Sequence, residues 1–314
     1  MATNKLATNQ AMPPRQAQFK LLEVPFNIST VKTAQNFRLG PLQRAGVALV
    51  FCFALAAGSG CQVTGSAPFS TELAPLVLHL AADPGIKLVR VLAGTFLMGS
   101  PIGETSRFDN EGPLTRVTLT RDFFLGATDV TQGQYEAVMG TNPSFFKAAG
   151  KDAPVESVTW NDAMSFCQKL TERERAARNL PDGYILTLPT EAQWEYACRA
   201  GTTGPYAGDL DAMAWYAQNS ERTTHPVGAK QPNVWGLYDM HGNVWEWVLD
   251  WYGPFPGGSV TDPTGPATGT DRVHRGGSWS NVAADCRSAV RHGDLASNRS
   301  SHSLGFRVAL ISVR

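Results

Sequence analysis

Leu188-Pro-Thr-Glu-Ala-Gln-Trp-Glu-Tyr196 opens on a capping box. Thr190 caps a first helical turn, and Gln193, three residues on, reaches back to it. The helix that follows stops near Gly201 and buries Trp194, Ala197 and Cys198. Two further segments carry the same signature. Thr131 with Gln134 starts a helix that stops at Gly140 and buries Tyr135, Val138 and Met139. Thr159 with Asp162 starts another that buries Ala163, Phe166, Cys167 and Leu170. Upstream, residues 89–98 read as a strand ending in a turn at Gly99-Ser100. Residues 115–124 alternate Val117 and Leu119 with Arg116, Thr118 and Thr120, the pattern of a half-buried strand. Downstream of Gly201 nearly everything reads as loop, turn or short strand. Short helices, short strands and irregular connections define an α+β chain with little regular secondary structure.

The composition supports a folded body. Of 314 residues, 43% are hydrophobic and 17% charged, enough apolar surface to bury a core and exclude a disordered chain. No apolar run reaches the eighteen or more residues of a spanning helix, which excludes a multi-pass membrane protein. Thirty Gly, twenty Pro and eight Trp suit a turn-rich globule pinned by aromatic anchors. The charge balances at 27 basic and 27 acidic residues, but residues 1–60 hold six basic and one acidic. The remainder is therefore mildly acidic and carries no electrostatic footprint for nucleic acid.

The basic excess marks the front of the chain as an address. Arg38 and Arg44 precede the apolar stretch Ala45-Gly-Val-Ala-Leu-Val-Phe-Cys-Phe-Ala-Leu-Ala-Ala57, and Gly58-Ser59-Gly60-Cys61 follows. A basic region, a short apolar region and small residues describe a secretory signal. The Cys after small residues resembles a bacterial lipoprotein signal, in which Cys61 is acylated and becomes the new N-terminus. Gly58 stands where that signal prefers an aliphatic residue, so an ordinary signal peptide with an incidental Cys is the other reading. The expectation is an exported protein, on the periplasmic or cell-surface side, that touches the membrane through its lipid alone. Some forty mostly polar residues precede the signal, and a translation start near Val31 or Leu39 is expected. Residues 1–60 then form the extension and signal, 61–83 a tether, and 84–314 the domain.

Seven segments of this domain resemble, in order, the formylglycine-generating enzyme (sulfatase-modifying factor) family. They are Gly94-Thr-Phe-Leu-Met-Gly-Ser100, Thr128-Asp-Val-Thr131, Pro154-Val-Glu-Ser-Val-Thr-Trp-Asn-Asp-Ala163, the capped segment from Leu188, Gly236-Leu-Tyr-Asp-Met-His-Gly-Asn-Val-Trp-Glu-Trp247, Arg275-Gly-Gly-Ser-Trp279 and Leu304-Gly-Phe-Arg307. Each alone is weak; the ordered set is specific. The resemblance implies a variant of the C-type-lectin fold. It also implies oxidation of a substrate-protein cysteine by O2 with Cu(I) held by two thiolates.

The copper ligands are where this chain departs from the family. Thiolates select Cu(I) because it is soft. The family pattern sets the first Cys three residues after the Ser of Gly-Gly-Ser, and Asn281 stands there. Cys286 stands at the second position. An amide oxygen is hard and neutral, so one copper ligand is missing and Cu(I) chemistry is in question. Cys286 is then either a surviving groove thiol or a small buried packing residue. Trp245 and Ser278 match residues of the family's active centre: Trp245 walls the groove and Ser278 flanks the copper cysteine. Cys286, Ser278 and Trp245 are therefore the candidate catalytic residues. Cys167 and Cys198 match half-cystines whose partner positions are Val308 and Arg291 here, so free buried thiols are expected.

The resemblance also implies a structural Ca2+ site from Asp239, Gly242, Val244 and Glu246, two carboxylates and two main-chain carbonyls. Hard oxygens on an irregular loop suit Ca2+. The other reading is that the two carboxylates satisfy loop N–H groups. Arg307 is expected to brace the C-terminal strand through a buried carboxylate. The six histidines show no ligand spacing, and His241 and His274 read as loop hydrogen-bonders. Two functions follow: an oxidase of the generator type, or a non-catalytic, lipid-anchored module that binds a protein or peptide on the same fold.

Overall fold

The computed structural model describes residues 76–78, 85–298 and 301–313. The signal region and Cys61 lie outside the described residues. In chain order the strands are β1 (Leu76–Leu78), β2 (Ile86–Val91), β3 (Gly94–Met98), β4 (Thr115–Leu119), β5 (Phe123–Gly126), β6 (Tyr184–Thr187), β7 (Trp245–Trp251), β8 (Gly258–Thr261), β9 (Asp271–Arg275), β10 (Arg291–Leu295), β11 (Leu304–Gly305) and β12 (Ala309–Ser312). The helices are α1 (Gln132–Met139), α2 (Trp160–Ala176), α3 (Glu191–Arg199) and α4 (Leu210–Met213). Three sheets run β1-β2-β5-β12-β6, β10-β9-β7-β11 and β3-β4-β8. Pairing is antiparallel except at β7–β11 and β4–β8. The chain is thus mixed α+β, with few helices and short strands. The strand Leu76–Leu78 pairs with β2 inside the span that reads as a tether in sequence.

The three capping boxes form as the sequence dictates. Thr131, Thr159 and Thr190 each accept a backbone N–H from the third helical residue, whose side chain bonds back. Gly140 ends α1 in the left-handed region at φ 80°, which a glycine adopts without strain. Val138 and Met139 are half-buried rather than buried, because α1 closes one corner of the core instead of crossing it.

Both long strand readings divide. Residues 89–98 split at Leu92–Ala93, where β2 belongs to the five-stranded sheet and β3 to the three-stranded one. Asp122 holds this corner: its Oδ1 accepts the Ala93 N–H at 2.8 Å and its Oδ2 accepts Arg90 Nη2 at 2.6 Å. Residues 115–124 split likewise into β4 and β5, with Asp262 Oδ1 accepting the Thr120 N–H at 2.9 Å. The five-stranded sheet then buries both faces. Alternation puts Leu88, Leu186 and Leu310 against α1 and α2, and Val89, Leu125 and Ala309 against α3. The free edge of β6 is closed by α2, since Thr171 Oγ1 accepts the Leu186 N–H at 3.0 Å.

Candidate functional site

Ion pairs between α3 and the second sheet place the turn that carries the candidate residues. Glu195 on α3 is fully buried and takes Arg199 at 2.8 Å and the Arg275 guanidinium. Arg275, at the end of β9, also donates to the carbonyls of Ser288 at 3.1 Å and Val290 at 2.6 Å. Glu191 binds Arg291 through two bonds of 2.6 Å. These charge-assisted bonds fix both ends of residues 276–290. Gly276 and Gly277 follow with φ of 100° and 75°, which reverse the chain.

Two of the three candidate catalytic residues, Ser278 and Trp245, meet at this turn, on a side chain read only as a missing ligand. The Asn281 Oδ1 accepts Ser278 Oγ at 2.5 Å and Trp245 Nε1 at 2.9 Å. The Asn281 Nδ2 donates to Asp285 Oδ2 at 3.0 Å. The amide therefore closes a hub of Trp245, Ser278 and Asp285. Ser278 is fully buried and Trp245 nearly so.

Cys286 lies beside this hub, its thiol against the Ser278 backbone, and makes no side-chain hydrogen bond to Asn281. It is fully buried and packs with Ala214 and Tyr216. A Cβ on Gly277 would stand 2.6 Å from its Sγ, so the thiol fills the space that glycine leaves. Burial, then the neighbouring Asp285 charge, push its pKa up to about 12, which keeps it a thiol at neutral pH. Cys167 and Cys198 are free and buried, and burial drives both thiols upward. His241 locks the back of the turn, as a loop hydrogen-bonder should. Its Nδ1 meets the Cys286 carbonyl at 2.8 Å and its Nε2 accepts the Ala207 N–H at 3.2 Å. Burial pulls its pKa down to about 4, so the ring is neutral.

His274 departs from its expected role. It sits on β9, and its Nδ1 is buried without a hydrogen-bond partner. Its ring instead packs among Trp245, Trp247 and His292.

Asp239 and Glu246, the two carboxylates read as Ca2+ ligands, share a second buried cluster with Arg307. Glu246 accepts Arg307 Nε on Oε2 at 2.6 Å and Arg307 Nη2 on Oε1 at 2.8 Å. Its Oε2 also accepts Trp194 Nε1 at 2.9 Å. Arg307 is thus braced by a buried carboxylate, as expected. Asp239 Oδ2 accepts the Gly228 N–H at 2.7 Å, while its Oδ1 is buried without a partner. Asp129 was missed in sequence: it is 1% exposed, and neither carboxylate oxygen has a hydrogen-bond partner. Arg307 Nη2 lies 3.8 Å from its Oδ1. Burial, and after it the Glu246 charge, raise Asp129 well above the usual carboxylate range. Burial raises Asp239 to about 6, against the opposing Gly228 bond and Arg307 charge. Three buried carboxylates thus face one guanidinium, and oxygens without partners are hard donors. Among the described residues no three His, Cys, Asp or Glu side chains already stand as a metal site. Only the fragment Thr128-Asp-Val-Thr131 signalled Asp129, and it carried no chemistry by itself.

Comparison with known proteins agrees with this architecture. Residues 77–311 match the FGE-sulfatase family, described as the sulfatase-modifying factor enzyme 1-like domain. The chain belongs to that family. It is 30% identical to a formylglycine-generating enzyme of Streptomyces coelicolor over 292 residues, covering 70% of this chain and 88% of that protein. It is 33% identical over 210 residues to the chaperone protein LppX of Paenibacillus barcinonensis, covering 52% of this chain and 71% of that one. Among solved structures it resembles Treponema denticola variable protein 1, with a TM-score of 0.66 and 31% identity over 76% of this chain and 99% of that one.

Proposed function

We propose that this chain is a non-catalytic binding module of the FGE-sulfatase family, exported and tethered to a membrane by a lipid on Cys61, that holds a protein or peptide. The observation that carries the reading is Asn281. Its amide stands at the first copper position and is spent on Trp245, Ser278 and Asp285. Copper oxidation of the generator type needs two soft thiolates. Here one is an amide, and the other is a protonated thiol packed against Gly277. The similarity to a protein named a chaperone supports a holding role.

In this reading Ca2+ is structural. Asp239 and the carbonyls of Gly242 and Val244 would hold it, with Asp129 adding a partnerless carboxylate nearby. Glu246 serves Arg307 and Trp194 as well, so its share in the ion is the smaller one. The ion would supply the positive charge that three carboxylates and one guanidinium lack.

The test is an anaerobic Cu(I) competition titration of the full chain, with a cysteine-peptide oxidation assay beside it. We expect no Cu(I) binding above background and no peptide oxidation. Tight one-to-one binding that Cys286→Ser abolishes would overturn the reading. The anchor is tested by labelling with a fatty-acid analogue in a bacterial host. Label on the wild type and none on Cys61→Ser is expected, and an unlabelled wild type removes the anchor.

A further inference from the structure

A groove of about 550 Å3 runs between α2 and β6, with none of the Asn281 hub among its lining residues. That volume suits a small ligand or a short peptide. Strand addition is closed to it. On this edge of β6, Thr171 Oγ1 accepts the Leu186 N–H at 3.0 Å and meets the Leu186 carbonyl at 3.3 Å. The Tyr184 N–H bonds the Pro181 carbonyl at 3.2 Å, and the Tyr184 carbonyl accepts Arg175 Nη2 at 3.1 Å. A ligand must therefore be held by side chains.

The two walls differ in chemistry. Met164, Ile185 and Leu186 give the groove its apolar surface. Asn161, Gln168, Glu172 and Arg175 line it from α2 and are exposed. Their spacing puts them on one helix face. The row is about 21 Å long, the reach of roughly six extended residues. Gln168 Nε2 donates to Glu172 Oε1 at 3.0 Å, which leaves Gln168 Oε1 and Glu172 Oε2 as acceptors. Arg175 spends Nη2 on Tyr184 and, among the described residues, meets no carboxylate. Residues 169–178 hold Lys169, Arg173, Arg175 and Arg178 against Glu172 and the buried Glu174, so this end of the groove is positive.

We propose that the α2–β6 groove binds the C-terminal end of an extended peptide, with the α-carboxylate on Arg175 and an apolar last side chain against Met164, Ile185 and Leu186. Charge selects the carboxylate, since a guanidinium with open N–H groups makes its strongest bonds to an anion. Peptide N–H groups donate to Glu172 and Gln168, and a peptide carbonyl accepts the Asn161 amide. A row of amides and a carboxylate suits a chain that alternates donors and acceptors. An acyl chain with the same anionic head would lay hydrocarbon against that row and leave its polar groups unpaired. The site rests on the holding role proposed above and gives its partner a chemistry: a free, apolar C-terminus.

Fluorescence anisotropy with the full chain tests it. The probes are a hexapeptide ending in Ala-Val-Leu, with fluorescein on its N-terminus, and the C-terminal amide of the same peptide. We expect saturable one-to-one binding of the free acid. It should weaken at least tenfold for the amide and in Arg175→Gln, and stay unchanged in Lys169→Ala, which lies on α2 outside the groove. Both side chains are exposed, so both variants keep the fold. Wild type without saturable binding, or binding that ignores the carboxylate and Arg175, overturns the site and leaves the holding role standing. Copper-dependent oxidation in the assay above overturns the holding role instead, so the two failures are distinct.

Discussion

Asn281→Ala separates a structural hub from an idle groove residue. The substitution removes the acceptor of the Ser278 hydroxyl and the Trp245 indole N–H, and the donor to Asp285. Their environments differ. Ser278 and Trp245 are buried, so each keeps a stranded donor that costs about 1–3 kcal/mol. The Ser280 hydroxyl, 3.2 Å from Ser278 Oγ, can take one of the two in part. Asp285 is half-exposed and water replaces its lost bond. The sum is a loss of about 2–4 kcal/mol. With a urea slope near the top of the usual range, about 2.5 kcal/mol per molar, the midpoint falls by roughly 1 M.

Urea unfolding followed by tryptophan fluorescence measures this, and an unchanged slope shows that the loss is one of stability. Trp245→Phe gives the partner arm of a double-mutant cycle, with an expected coupling of about 1 kcal/mol or more. A loss below about 0.5 kcal/mol, the range of an ordinary surface substitution, refutes the hub.

Three other perturbations have signs set by the structure. Asp250 is buried, and burial with the Glu191 charge raises it to about 7, so the folded chain keeps a proton that the unfolded chain releases from about pH 4 upward. Its contribution therefore falls as pH rises from about 4 to about 7, and Asp250→Asn should recover roughly 2–4 kcal/mol at pH 8 relative to pH 5; an unchanged pH profile in urea melts rejects this. Gly277→Ala meets the Cys286 sulfur at 2.6 Å and should cost about 1–3 kcal/mol; Cys286→Ala should relieve part of that, and strictly additive losses would show that the two do not touch. Glu246→Gln weakens the brace on a fully buried Arg307 and should cost about 3 kcal/mol in the same assay, whereas a loss under about 1 kcal/mol would mean that Asp129 takes over the charge.

What the sequence made legible was local. Capping boxes announce themselves in four residues, and α1, α2 and α3 start where Thr131, Thr159 and Thr190 place them. Strand breaks do not, because Leu92 and Ala93 keep the first run apolar while the chain changes sheets, and at the second corner only Arg121 and Asp122 interrupt the pattern. The signal for those corners is a distant carboxylate, Asp122 for one and Asp262 for the other. The candidate site shows the same division. Motif matching brought Trp245, Ser278 and Asn281 to one place, but it read Asn281 as an absence, whereas the amide organises its neighbours. Asp129 was invisible because its partners come from other strands and loops.

The segments that carry the family resemblance are mostly those that build the scaffold. Glu195 pairs with Arg275, Glu246 with Arg307, and Trp194 bonds Glu246, so four of the seven segments are tied by buried polar bonds. The fold can persist while the chemistry changes at a single position on the turn it supports. It follows that Asn281→Cys should restore a ligand without restoring a site. A thiol at 281 would release Trp245, Ser278 and Asp285 from their shared amide. Cys286 would remain buried and protonated in the space left by Gly277. We expect no tight Cu(I) binding by this variant in the anaerobic titration. One-to-one binding would show that the two sulfurs can face each other across the turn, and that the residue identity at 281 alone separates this chain from the oxidases of its family.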